Sequence, residues 1–167
     1  MRAIVVVTLM AVVSACSAPK EAPIQSASNV VEWVAEAAAM RPGPDNSTLI
    51  DVEVRATIGP GWHVYSLTQL TGGPTPMTVK VEPSPPYTLA GDVKGPAPVK
   101  APDREFGIET ETYSGAPAFH VPVKLAGSAS VSPPPLEIKV RSQACSDKLC
   151  LPARTTTLTV YPEQGST

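Results

Sequence analysis

The sequence predicts an all-β fold, an antiparallel β-sandwich, and three observations carry that prediction. The 167 residues include 20 prolines and 11 glycines, a density that interrupts long helices. Apolar and polar residues alternate at period two along several segments, most clearly over residues 49–58. Turn signals separate these segments at short intervals, the spacing of a sandwich with about seven or eight strands. The length suits one domain with a sizeable core, and no internal repeat is present.

Residues 1–15 read as an export signal. Arg2 supplies the positive start, and residues 3–13 are an apolar stretch of signal-peptide length. That stretch is shorter than the ~20 residues a helix needs to span a bilayer. Val13-Ser14-Ala15-Cys16 resembles a bacterial lipobox, whose cysteine becomes the lipidated first residue after cleavage. The plain alternative is an ordinary cut near Ala15 or Ala18 that leaves Cys16 a thiol. Ser17, not Asp, follows Cys16, which is the sorting pattern for the outer membrane in a Gram-negative envelope. Residues 16–28, rich in Ala, Pro and Ser, read as a flexible tether to a domain over residues 29–162, with residues 163–167 as a tail.

Residues 29–40 fit two patterns. Val30, Val31, Val34 and Ala38 suit a short helix after a Ser28 or Asn29 cap, whereas Val30, Glu32 and Val34 also alternate as in a strand. Residues 41–46, rich in Pro, Gly, Asp and Asn, end either one. Ile50, Val52, Val54, Ala56 and Ile58 then share one strand face, with Asp51, Glu53, Arg55 and Thr57 on the other. Gly59-Pro60-Gly61 turns the chain into a second strand over residues 62–66. After Gly72-Gly73-Pro74, Met77, Val79 and Val81 alternate up to Pro83. Residues 85–102, broken by proline and glycine, are predicted to be irregular. Strands follow at residues 106–113, 118–125, 136–141 and 155–161.

Charge excludes one function class. The net charge is −2 and the basic residues are scattered, so no patch for nucleic acid forms. Of the three cysteines, the lipobox takes Cys16, which leaves Cys145 and Cys150 as an isolated pair in an oxidising compartment. They occupy the shoulders of a four-residue loop between two strand-like runs, residues 136–141 and 154–161. Facing residues in an antiparallel ladder have Cα atoms about 4.5–5.5 Å apart, within the roughly 4.4–6.8 Å a disulfide accepts.

The pair lacks the helix start that lowers a thiol pKa in C-x-x-C proteins. Exchange would depend on exposure and on a partner's thiolate, since only one of two reacting proteins needs a low-pKa cysteine. Lys148 and Arg154 would favour a thiolate and Asp147 would oppose it. A structural staple is the alternative, although so short a loop gives a bridge little entropy to remove. A zinc site from Cys145, Cys150, His63 and His120 has the right atom types, but the histidines lack paired ligand spacing. No metal or cofactor is expected.

Three stretches stand in a fixed order: residues 61–66 (Gly-Trp-His-Val-Tyr-Ser), then Asp103-Arg104-Glu105-Phe106-Gly107 continuing to Tyr113 and Val121-Pro122-Val123, then Ala144-Cys145 to Cys150-Leu151-Pro152. Together they resemble the amino-terminal periplasmic domain of the DsbD thiol:disulfide interchange proteins, across residues 30–160. The resemblance implies an immunoglobulin-like sandwich, with a strand over residues 30–36. It implies a cysteine pair that takes reducing equivalents from a thioredoxin-like domain and hands them to other envelope oxidoreductases. Cys150 would then be the attacked, partner-bonding residue and Cys145 the resolving one. Phe106 matches an aromatic cap over the disulfide, and Asp103 or Glu105 an acidic position beside it. His63 and Tyr65 match positions that line the site with rings. A carboxylate there would oppose thiolate formation and could carry protons.

Each of these residues also has a plain reading. Trp62 and Tyr65 suit the sandwich core, Phe106 a sandwich end, and His120 an ordinary strand position. The chain departs from the family in two places: four residues, not five, separate its cysteines, and Arg104-Glu105 after Asp103 replaces two consecutive acids. No spanning run and no C-x-x-C occur in the 167 residues, so electrons are expected from a separate protein. The rival function is a non-catalytic sandwich that binds an envelope partner and keeps the disulfide as a staple.

Overall fold

The computed structural model describes residues 30–70, 72–82, 85–104, 106–127 and 133–162. Their strands are β1 (Val31–Pro42), β2 (Thr48–Ile58), β3 (His63–Tyr65), β4 (Thr78–Val81), β5 (Tyr87–Leu89), β6 (Val99–Asp103), β7 (Ile108–Tyr113), β8 (Ala118–Leu125), β9 (Leu136–Ser142), β10 (Ala144–Cys145) and β11 (Arg154–Val160). All pairings between them are antiparallel, in three hydrogen-bonded sheets ordered β1-β2-β8-β5, β10-β3-β7-β6 and β11-β9-β4.

The period-two reading holds best where it was clearest. Every second residue of β2 from Thr48 to Ile58 is buried, and Val52 and Val54 are fully so. In β8, Val121 and Phe119 sit opposite them and are equally buried. Of the ambiguous residues 29–40, residues 31–40 are strand, and residue 29 lies outside the described residues. β1 pairs with β2 along its length, with a register shift between Ala37 and Ala39. Alanine's helix propensity is a weak preference, and here the β2 ladder together with burial of Trp33 overrides it.

Residues 85–102 depart from the irregular reading, because they contain β5 and most of β6. The Tyr87 ring is buried and its hydroxyl donates to Pro134 O at 2.5 Å, which seats β5 beside β8. β6 is an edge strand with almost no buried side chain, so it has no alternation to read. Pro102 is tolerated there because an edge residue need not donate on its outer side. Such short pieces, including the two-residue β10, carry the strand number past seven or eight.

One further correction bears on the site. The β9–β11 ladder ends at the pair Ser142–Arg154 and does not run on to the cysteines. Beyond it the chain changes sheets, and β10 pairs with β3. The three inner faces share one core, with Val54 and Phe119 from the first sheet, Val64 and Tyr113 from the second, and Ile138 from the third. The Phe119 ring meets Tyr113 edge-on at 5.1 Å and lies so close to Gly95 that a Cβ there would stand 2.5 Å from Phe119 Cδ1. Because Val64, Tyr113 and Ala144 point inward, alternation turns His63, Tyr65, Thr112 and Cys145 onto the outer face of the second sheet. No helix among the described residues is long and apolar enough to cross a membrane.

Candidate functional site

The site is a row of side chains across that outer face. Cys145 stands opposite His63, Tyr65 opposite Thr112, and Ala101 opposite Thr110. Cys145 and Cys150 form a disulfide with Cα atoms 4.1 Å apart, and they face each other as an antiparallel bridge. Leu151 N–H donates to Ala144 O and Ser146 N–H to Leu149 O, each at 2.9 Å, so Asp147 and Lys148 form the tip of a tight turn. Ser146 Oγ also accepts from the N–H groups of Lys148 and Leu149, at 3.3 and 3.4 Å. The shoulder placement read from spacing is therefore correct, although β3 and not β11 supports it.

The two cysteines are not equivalent. Cys145 is 1% exposed, whereas Cys150 is exposed and opens into a cleft of about 500 Å³. His63, Tyr65, Asp103, Thr110 and Asp147 also line that cleft. Burial pushes the His63 imidazole below its ordinary 6.5, against the pull of Asp103 and then Asp147. His63 is thus neutral at neutral pH.

Tyr65 and Asp103 tie the cleft to the β6–β7 turn. The Tyr65 ring meets His63 edge-on at 5.3 Å and Phe106 edge-on at 6.1 Å. Its hydroxyl donates to Asp103 Oδ2 at 3.2 Å, and Thr110 Oγ1 donates to the same oxygen at 3.5 Å. Asp103 Oδ1 accepts from Phe106 N–H at 3.3 Å, while Gly107 N–H donates to Asp103 O at 2.8 Å. Gly107 has φ +65°, a conformation that suits glycine and lets β7 start at once. Phe106 thereby lies on Tyr65 with 39% of its surface exposed.

Tyr65 is both buried and site-lining, whereas Trp62 belongs to the core alone. His120 lies on another sheet, in β8, with its Nδ1 3.0 Å from Asp51 Oδ2. Glu105 and Cys16 lie outside the described residues, as do residues 1–15, 16–28 and 163–167.

A family model described as "Thiol:disulfide interchange protein DsbD, N-terminal" matches residues 31–162. The chain belongs to the DsbD N-terminal domain family. Its fold agrees with the reduced DsbD N-terminal domain of Neisseria meningitidis, at TM-score 0.52 and 15% identity over 84% of this chain and 92% of that one. Two further structures are more distant. The same organism's DsbD N-terminal domain, in complex with the PilB N-terminal domain, gives TM-score 0.47 and 17% identity over 76% of this chain and 80% of that one. The N-terminal periplasmic domain of ScsB from Proteus mirabilis gives TM-score 0.45 and 18% identity over 74% and 50%. A search of curated proteins returns no match. The immunoglobulin-like antiparallel sandwich expected from the sequence is the fold of this DsbD-type domain.

This DsbD-type domain also holds a polar cluster that the sequence did not flag. Glu111 on β7 faces Lys100 across the ladder, with Lys100 Nζ 2.8 Å from Oε1. Its Oε2 accepts from Ser66 Oγ at 2.8 Å and also from Thr68 Oγ1. Gln69 Oε1 accepts from Glu111 N–H at 2.7 Å. The cluster fastens the chain after β3 to the hairpin that carries Phe106. No spacing signal marks these residues, because their meeting depends on the pairing of β6 with β7.

The Lys100 ammonium first, then the Thr68 and Ser66 hydroxyls, hold the Glu111 carboxyl down at about 2 from an ordinary 4.5. A depressed carboxyl stabilises the fold fully above its unfolded pKa and loses that contribution as pH falls. Urea midpoints are expected to drop from about pH 4.5 towards about pH 2. The Glu111→Gln domain should lose most of that dependence while starting from a lower midpoint at pH 7. Parallel pH curves for the two proteins would remove Glu111 from this account.

Proposed function

We propose that this domain is a thiol–disulfide interchange carrier of the cell envelope. It passes reducing equivalents between thioredoxin-like proteins through Cys145 and Cys150. The observation that carries this reading is the unequal exposure of one disulfide. Cys150 opens into the cleft while Cys145 is buried behind it. A partner thiolate must approach in line with the sulfur it attacks, and of the two residues only Cys150 is exposed. Cys150 is therefore the partner-bonding residue and Cys145 the resolving one. Membership of the DsbD N-terminal family supports both the chemistry and the envelope placement. Phe106, held on Tyr65 by Asp103, serves as a cap that must swing aside when a partner docks.

The interchange reading predicts a disulfide that a partner dithiol can reduce. Structural bridges of secreted proteins have potentials below about −300 mV. Equilibration with glutathione buffers is expected to place this pair above about −300 mV. A value well below that limit would leave the disulfide a staple and favour the binding-module alternative. Attachment to the membrane is through lipid at Cys16, facing the periplasm, with the outer membrane as its site in a Gram-negative cell. Metabolic labelling with a palmitate analogue should mark the wild-type protein and not Cys16→Ser. An unlabelled wild-type chain would overturn the anchor.

A further inference from the structure

We infer that His63 is the proton-transfer residue of this cysteine pair. The inference deepens the carrier reading and rests on it. Three placements bring His63 to the sulfurs. It is the cross-strand partner of Cys145, where facing Cα atoms lie about 4.5–5.5 Å apart. Both residues belong to the outer face of the second sheet, since their neighbours Val64 and Ala144 are in the core. His63 also lines the cleft into which Cys150 opens. No other imidazole lies on that face among the described residues, since His120 is on β8 of another sheet.

The need for a base is greatest at Cys145. A buried thiol in a site already bearing Asp103 and Asp147 resists ionisation, because burial and like charge both disfavour the thiolate. In the reducing direction, the Cys150 thiolate attacks the partner's disulfide. One partner sulfur bonds to Cys150, and the other leaves as a thiolate and takes up the proton that Cys150 lost. The resolving step follows. Neutral His63 accepts the Cys145 proton, and the Cys145 thiolate attacks Cys150 Sγ. The Cys145–Cys150 bond forms, the bond to the partner breaks, and the departing thiolate receives the proton from the His63 imidazolium. Two electrons pass from the cysteine pair to the partner disulfide, and the two protons follow them.

The groups facing this imidazole match the task. Tyr65 on β3 packs edge-on against it. Asp103 from β6 and Asp147 from the cysteine turn favour the imidazolium once it has formed. Arg104 lines the same cleft with opposite charge. Burial keeps the ring neutral and ready to accept a proton at envelope pH.

The test is the lifetime of the mixed disulfide formed when the reduced domain reacts with oxidised glutathione, followed by acid quench and intact mass. His63→Gln and His63→Tyr are compared with wild type, the tyrosine variant keeping a ring against Tyr65. Resolution is expected to slow about tenfold at pH 7 in both variants. A positioned base contributes ~10²-fold or more, but the few per cent of thiolate a cysteine already carries at pH 7 caps the gain. The pH profile is the decisive readout. Wild-type resolution should rise with pH through a midpoint below 6.5 and then level off, as His63 loses its proton. The variants should instead climb towards the thiol's own ionisation, at about pH 8.5 or above. Equal lifetimes and equal profiles would overturn the role of His63 and leave the carrier reading standing. A wild-type domain that forms no glutathione adduct and cannot be reduced would overturn both.

Discussion

The Cys145→Ser domain is expected to hold a thioredoxin as a stable mixed disulfide, and the Cys150→Ser domain to hold almost none. The probe is a purified thioredoxin with its own resolving cysteine replaced by serine and its attacking cysteine carrying an aryl disulfide, with products read by non-reducing electrophoresis and mass. In Cys145→Ser, the exposed Cys150 remains and neither protein carries a resolving thiol, so the second exchange cannot occur. In Cys150→Ser, the one remaining thiol of the pair is 1% exposed behind the turn, where a second protein cannot align its sulfur. Catalysed turnover should vanish in both, and only the trapped yield separates them. Equal trapping by both variants would contradict the inner and outer roles. No adduct from either would return the disulfide to a staple. Both substitutions remove the same short cross-link, which closes too small a loop to contribute much stability. A difference between them therefore reports chemistry and not folding.

The residues that organise this site were legible in the sequence to different degrees, and the reasons are physical. β2 and β8 could be read because each buries one face and exposes the other, which writes the alternation into Ile50, Val52 and Val54 or Phe119, Val121 and Val123. The cysteine turn was legible from spacing alone, since facing positions across a short loop must lie close. What spacing could not supply was the sheet switch after Ser142, because the pairing of Ala144 and Cys145 with β3 joins residues some eighty positions apart. β6 was illegible for a different reason. An exposed edge strand carries no burial pattern, and its residues Lys100 and Asp103 gain their roles only from β7 and β3. The Glu111 cluster is hidden with it. His63 stood in view as a ring beside the site, but its position against Cys145 came only with the register.

Removing the Asp103 carboxylate is expected to speed alkylation of the reduced pair at Cys150 by about tenfold. Asp103 accepts from Phe106 N–H at 3.3 Å, Tyr65 hydroxyl at 3.2 Å and Thr110 hydroxyl at 3.5 Å. Hydrogen bonds to charged groups contribute about 1.5–3 kcal/mol each at good geometry, and these are long and partly exposed. Their joint loss in Asp103→Ala should shift the cap towards its open form by about 1.4 kcal/mol, which is the stated tenfold. Two causes could give the same acceleration, since losing a negative charge also favours a thiolate. Two further variants separate them. Asp103→Asn removes the charge but keeps an oxygen to accept from Phe106 N–H, with its amide nitrogen able to donate to the Tyr65 hydroxyl, so a cap effect leaves it close to wild type whereas a charge effect makes it match Asp103→Ala. Phe106→Ala keeps the charge and removes the ring that rests on Tyr65, so it should accelerate alkylation as Asp103→Ala does. Iodoacetamide rates at matched pH decide the matter. If Asp103→Asn equals Asp103→Ala and Phe106→Ala equals wild type, the carboxylate tunes the thiol electrostatically. In that case the β6–β7 turn is a wall of the cleft and not its cap.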